Sequence, residues 1–344
     1  MSRQQPATAP ETPVHIIAGP VRREFFVLPD GRSALNVLGG PALYAAAGAR
    51  LWNPDSIGVI SRVGKNFSED TLQTIRRSGF DVTGIRLHPN LPPSLGFHYF
   101  ETWDTDIDWD PAKYFTRNSI PFPRELTEYA PPSLSENSIH HFPDPAIRID
   151  DIPAAYRQAR SAYITPCHYQ SQITLSVALR RSGVGTILLA PPGGLLLPSF
   201  RARIRELLHG IDMVFARESL MRSFVGGPDP SPEKIAASLA QWGPKIVILQ
   251  KELHGVHLYD SDSRRIRFIA FYPVELKNPA AVGDSFCGGF LASWLKTFDP
   301  EEAALAGCIS ASLAMEGLEG LYALQRNPGL AEARLASLRR SAAS

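Results

Sequence analysis

The stretch Asn278-Pro-Ala-Ala-Val-Gly-Asp-Ser-Phe-Cys-Gly-Gly-Phe290 holds the residue types best suited to chemistry. Small residues run straight into a helical pattern, and Asp284 stands at the helix entrance. Backbone amides at a helix N-terminus hold an anion, and a carboxylate beside them can accept a proton from an attacking hydroxyl. The same residues also have a purely structural use. Asp284 can cap the helix, while Gly288 and Gly289 permit close packing.

Other candidates are weaker. Asp104, Asp106, Asp108 and Asp110 fall on every second position, which invites a calcium reading. An EF-hand loop needs Gly at its sixth place and Glu at its twelfth, and these places hold Trp109 and Phe115. Alternation with Trp103, Ile107 and Trp109 fits a hairpin with one wet face instead. His140 and His141 are neighbours in a strand-like run, so their side chains face opposite ways and make no joint metal site. Arg201, Arg203 and Arg205 do not share one face of a helix and read as solvated surface. Gly58 to Lys65 approximates a phosphate-binding loop, but with one residue too many and Asn66 in place of Ser or Thr. No metal-binding residues are assigned.

The elements that must position Asp284 follow from periodicity. VHIIAG (14–19) and SIGVISRVG (56–64) read as strands, and Pro41 to Trp52 as a buried helix of small residues. SEDTLQTIRRSG (68–79) reads as a helix with Ser68 as its N-cap. In the C-terminal half, SAYITP, TILLAP, DMVFA and KIVILQ are apolar runs of strand length. They alternate with helical patterns over 170–182, 199–209, 231–241, 284–297 and 300–316. Near-continuous apolar strands alternating with helices predict a mainly parallel sheet buried on both faces. From about 83 to 142 the chain turns strand-like, proline-rich and aromatic. Together with a piece near 24–28, it predicts a small β-rich lid on an α/β domain spanning 14–329. Residues 1–13 read as a disordered lead-in, and 330–344 as a C-terminal helix and tail.

Composition narrows the function classes. The chain has 344 residues, 44% hydrophobic and 20% charged, enough to bury a large core. Its 35 basic and 34 acidic residues nearly cancel, which argues against nucleic acid as the main partner. Three dispersed cysteines, Cys167, Cys287 and Cys308, do not make a disulfide framework. The first residues have no apolar core of a signal peptide, and no apolar run reaches the length of a membrane span. A cytoplasmic protein is expected, with no membrane partner.

Gly-Asp-Ser-Phe-Cys-Gly-Gly-Phe (283–290) resembles the C-terminal signature of the PfkB/ribokinase family of small-molecule kinases, D-[TP]-x-G-A-G-D-x-F-x-x-G. The aromatic after the paired glycines is most similar to a fungal branch of that family. Gly39-Gly40-Pro-Ala-Leu-Tyr-Ala-Ala-Ala-Gly-Ala-Arg-Leu resembles the N-terminal G-G-x-x-x-N-x-A segment, and IVILQKELHGVHLYD (246–260) resembles the strand pair bordering the nucleotide. The resemblance covers about 14–320. It implies a ribokinase-like α/β sandwich with a β lid and a homodimer formed through that lid. It also implies ATP with Mg2+, and γ-phosphoryl transfer to a hydroxyl of a sugar-like or nucleoside-like substrate. Asp284 falls on the family's catalytic base and Ala281, Val282 and Gly283 on its anion hole. Asn278, Arg217, Glu218 and Gly255 fall on the nucleotide side. Gly39, Gly40 and Glu24 fall on the substrate side.

The departures cluster around phosphate. The first anion-hole Gly of the family is Ala281, whose methyl is expected to narrow the site. In the N-x-x-E motif Arg217 stands for Asn and Leu220 for Glu, with Glu218 a slipped substitute. Gln250 and Glu252 replace the Thr and first Gly of the strand turn, of which only Gly255 remains, and the substrate Asn is Leu43 or Tyr44. These changes leave open a pseudokinase, or a repurposed protein with a binding, regulatory or specialised-metabolism role.

Overall fold

The computed structural model describes residues 12–103, 106–107, 110–131, 142–226 and 229–343. His140, His141, Asp104 and Asp108 lie outside the described residues, as does most of the lead-in. The N-terminal half contributes β1 (His15–Ala18), β2 (Arg22–Val27), β3 (Ser33–Gly39) and β4 (Ile57–Val63). It continues with β5 (Phe80–Leu87), β6 (Leu95–Phe100) and β7 (Asp106–Ile107). The C-terminal half adds β8 (Ser161–Ile164), β9 (Thr186–Leu189) and β10 (Met213–Arg217). Last come β11 (Ile246–Lys251), β12 (Gly255–Asp260) and β13 (Arg265–Ala270).

One sheet runs β13-β12-β11-β10-β9-β8-β1-β4-β5. It is parallel from β5 to β11, with β12 and β13 added antiparallel at one edge. Successive residues of a strand point to opposite faces, and here both faces are covered. Ile246 and Ile248 join one buried cluster with Phe286 and Phe290, while Val247 and Leu249 join another with Leu175 and Leu239. That is why the strands read as unbroken apolar runs.

The helix carrying Asp284, Val282–Thr297, lies against the helix Pro41–Arg50. A Cβ on Gly288 would sit 1.9 Å from the Ala45 carbonyl oxygen, and one on Gly48 would sit 2.2 Å from that of Ser285. Only residues without a side chain allow this approach, so the two glycine-bearing motifs fix each other. The expected Ser68 cap is present, with its Oγ accepting from the Thr71 amide at 3.4 Å. The C-terminal helix Leu330–Ala343 packs Ala331, Leu335 and Leu338 on the first core.

The second sheet, β3-β2-β6-β7, is the small β element expected as a lid and is called the lid below. It differs from the sequence reading in two places. Residues 83–87 belong to β5, which stays in the large sheet because Phe80, Val82 and Ile85 are buried in its core. Ser33–Gly39 pairs with β2 in this second sheet, although its apolar residues fall in adjacent pairs and do not alternate. Phe26, Leu28 and Phe100 face the core domain near Ala280 and Leu318. Phe25, Val27, Phe97 and Tyr99 face outward and are covered by Tyr114, Phe115 and Leu126 of the same chain. A salt bridge from Lys65 to Glu128, 2.6 Å, fastens this cover to the core domain.

Candidate active site

A cavity of about 260 Å³ opens where β8, β10 and β11 end. In open α/β sheets the carboxyl ends of the strands are the place for ligands. Tyr163, Phe215, Arg217 and Gln250 line it from the sheet, and Ala280, Gly283 and Asp284 from the helix entrance. His98, Phe100 and Trp103 close it from the lid side.

Asp284 is half-buried in the first turn of its helix. Tyr163, fully buried at the end of β8, donates its hydroxyl proton to Asp284 Oδ1 at 2.7 Å. Burial pushes the Asp284 carboxyl up to about 7; the Tyr163 hydrogen bond and the charges of Arg217 and Arg22 pull it down, and Glu24 adds to the rise. Such a group exchanges protons near neutral pH.

The amides beside it divide into two sets. The Ala281 amide donates to Asn278 Oδ1 at 3.3 Å, and that of Val282 points to the Pro279 carbonyl at 3.5 Å. Among the described residues the Gly283 and Asp284 amides have no carbonyl acceptor, and both residues line the cavity. They are the orphan donors of a helix N-terminus. The expectation that Ala281 narrows this space is corrected. Its φ of −78° is ordinary for any residue, and its methyl packs inward on Tyr44 and Ala314. Asn278 is fully buried and braces the loop from behind.

Among the residues expected on the nucleotide side, Arg217 ends β10 with its exposed side chain on the cavity. Among the described residues its guanidinium has no hydrogen-bond or ion-pair partner. Glu218 does not line the cavity. Its buried carboxylate accepts from Arg222 and meets His257 Nδ1 at 2.8 Å. Leu220 packs into the second core. Gly255 lies off the cavity at the start of β12, where a Cβ would be 2.2 Å from the Ile269 carbonyl oxygen. Gln250 takes the cavity position instead, its Nε2 donating to the Glu252 carbonyl at 2.7 Å.

On the lid side, Glu24 is buried and held from two directions. Tyr44 donates to its Oε2, and His98 Nε2 lies 3.4 Å from its Oε1. His98, between Phe26 and Phe100, is the member of this group that reaches the cavity. Gly39 leaves room for the Glu24 carboxylate, since a Cβ there would lie 2.5 Å from Oε2. Gly40, at φ +101°, begins the Pro41–Arg50 helix. Tyr163 and His98 escaped the sequence reading, while Gln250 was read only as a departure from the family motif and Trp103 only as a hairpin residue. Tyr163 and Gln250 each stand one residue before the end of a strand, β8 and β11.

Residues 177–322 match the pattern of the pfkB family carbohydrate kinases. A cytidine kinase of Thermococcus kodakarensis is 24% identical over 292 residues, 85% of this chain and 92% of that protein. The chain is thus similar to the PfkB/ribokinase-like family. Solved structures of this fold agree along nearly the whole length. The nucleoside kinase of Burkholderia thailandensis in complex with inosine superimposes with a TM-score of 0.66 at 16% identity, covering 94% of this chain and 98% of that one. A fructokinase of Vibrio cholerae, bound to fructose, ADP and potassium, gives 0.69 at 15% identity, covering 95% and 100%. The two-sheet architecture is the ribokinase fold.

Proposed function

We propose that this protein is an ATP-dependent kinase that phosphorylates a hydroxyl of a nucleoside-like or sugar-like small molecule. The observation that carries the reading is Asp284: a carboxyl near neutrality, at a helix N-terminus, beside two unpaired amides and inside a cavity under a lid. In this scheme the substrate O–H proton passes to Asp284, and the freed oxygen pair forms the new bond to the γ-phosphorus. ADP leaves with the electron pair of the broken P–O bond. The Gly283 and Asp284 amides receive the phosphoryl oxygens as charge develops there. Arg217 supplies the cation beside them.

Mg2+ fits only as a metal carried on the nucleotide. Among the described residues there is no cluster of three or more His, Cys, Asp or Glu for a dedicated site. Magnesium bound through phosphates and one or two carboxylates needs none, and with Asp284 serving as the base, Glu252 is the carboxylate left on the cavity wall. Such a metal would neutralise phosphate charge.

The walls favour a nucleoside over a bare sugar. Phe100, Trp103, Phe215 and His98 offer flat faces to a base, and the relatives named cytidine kinase and nucleoside kinase support that reading. A second reading, an impaired kinase retained as a binding protein, draws on Glu218, whose carboxylate is engaged by Arg222 and His257. A dimer through the lid is disfavoured because its outer apolar face is covered in cis. No helix among the described residues is long and apolar enough to cross a membrane, and the three cysteines are free, which suits the cytoplasm. ADP release from ATP with cytidine, inosine, ribose and fructose tests the reading. Activity with a nucleoside supports it, and silence with all four favours the binding protein.

A further inference from the structure

The Tyr163–Asp284 hydrogen bond joins two elements that have little freedom. β8 is a central strand, with Tyr163 in register between Ile17 of β1 and Leu188 of β9. The helix of Asp284 is locked on the Pro41–Arg50 helix by the glycine contacts described above. A Phe in place of Tyr163 would fill the same core space, so the hydroxyl is there for its partner. We infer that Tyr163 is the positioning residue for Asp284: its hydroxyl occupies Oδ1 and leaves Oδ2 to take the proton of the substrate hydroxyl.

The surroundings agree with this division. Asp284 is faced by Glu24 and Arg22 from β2, Arg217 from β10, Cys287 from its own helix and Tyr163 from β8. Burial, then the charges of Asp284 and Cys287, drive the Tyr163 hydroxyl well above its ordinary range, so it stays a donor at any working pH. Its bond opposes the burial that pushes the Asp284 carboxyl up to about 7. Tyr163 therefore aims the base and also favours its ionised form. The catalytic consequence rests on the kinase reading, whereas the hydrogen bond and its effect on Asp284 do not.

The test follows the carboxyl of Asp284 by infrared difference titration of the full-length protein, assigned by its loss in Asp284→Asn. The midpoint is expected near 7 in the native protein. In Tyr163→Phe it should rise by about one to two pH units, the size of a lost hydrogen bond to a charged group. An unmoved midpoint overturns the inference. Should Tyr163→Phe not fold, 2,3-difluorotyrosine at position 163, a stronger donor, should lower the midpoint, and no change again overturns it. In the kinase assay the acid limb of kcat should move with the midpoint while KM for ATP stays constant. If the native protein phosphorylates nothing, the kinase reading falls, and the titration still decides the role of Tyr163.

Discussion

Tyr44, on the first helix of the core domain, donates its hydroxyl proton to the buried carboxylate of Glu24 in the lid. Asn278, in the loop before Asp284, reaches the same hydroxyl at 3.5 Å. His98 meets the other Glu24 oxygen and faces the cavity. The lid, the first helix and the loop before Asp284 thus share one polar contact chain under the cavity.

Tyr44→Phe should therefore weaken the protein and the lid together. It leaves Glu24 Oε2 without its donor inside the fold, a loss of about 1–3 kcal/mol. Thermal unfolding should show the loss, and KM for the phosphoryl acceptor should rise more than KM for ATP. Equal rises in both KM values would mean the contact chain does not serve the lid.

Asp284 should limit stability as well as support turnover. Its carboxyl titrates near 7 in the fold and at about 4 in the unfolded chain. Between those values the unfolded state loses the proton first, so the stability from this group is full below about pH 4 and lost as pH rises through 7. Asp284→Asn should raise stability at pH 8 by about 1–3 kcal/mol, scaled down for partial exposure, and change little at pH 4. Denaturant melts at the two values check this. A variant less stable than the native protein at pH 8 would speak against a raised carboxyl.

Arg217 should carry nucleotide phosphate where the family uses an amide. Calorimetry with ATP should show binding that persists without magnesium, and Arg217→Asn should weaken the magnesium-free binding by about tenfold or more, as expected for loss of a charge-assisted contact. Magnesium-free affinity unchanged in Arg217→Asn would place the phosphates elsewhere.

The lid cover predicts a monomer. Light scattering on a sizing column should give the mass of one chain, 37.7 kDa. A stable particle of twice that mass would mean two copies pair despite the cover of Tyr114 and Phe115.

The large sheet was legible because its strands are buried on both faces and so are apolar along their whole length. Asp284 was legible because its loop-to-helix signature is local in the sequence. Ser33–Gly39 was hidden because an exposed lid edge needs no apolar alternation. The effect of Ala281 was misjudged because a sequence does not say which way a methyl points; here it points to Tyr44 and Ala314, away from the cavity. Tyr163 and Asp284 stand 121 positions apart, and their contact exists only once β8 and the helix are packed together.

The most direct test of the account is ADP release from ATP, read with cytidine and inosine as acceptors, for the native protein and Asp284→Asn side by side. The account predicts acceptor-dependent turnover in the native protein and a fall of about 10²–10⁴ in kcat for the variant, the usual contribution of a positioned base. ATP affinity should stay nearly constant. Acceptor-dependent turnover that survives in Asp284→Asn would contradict it.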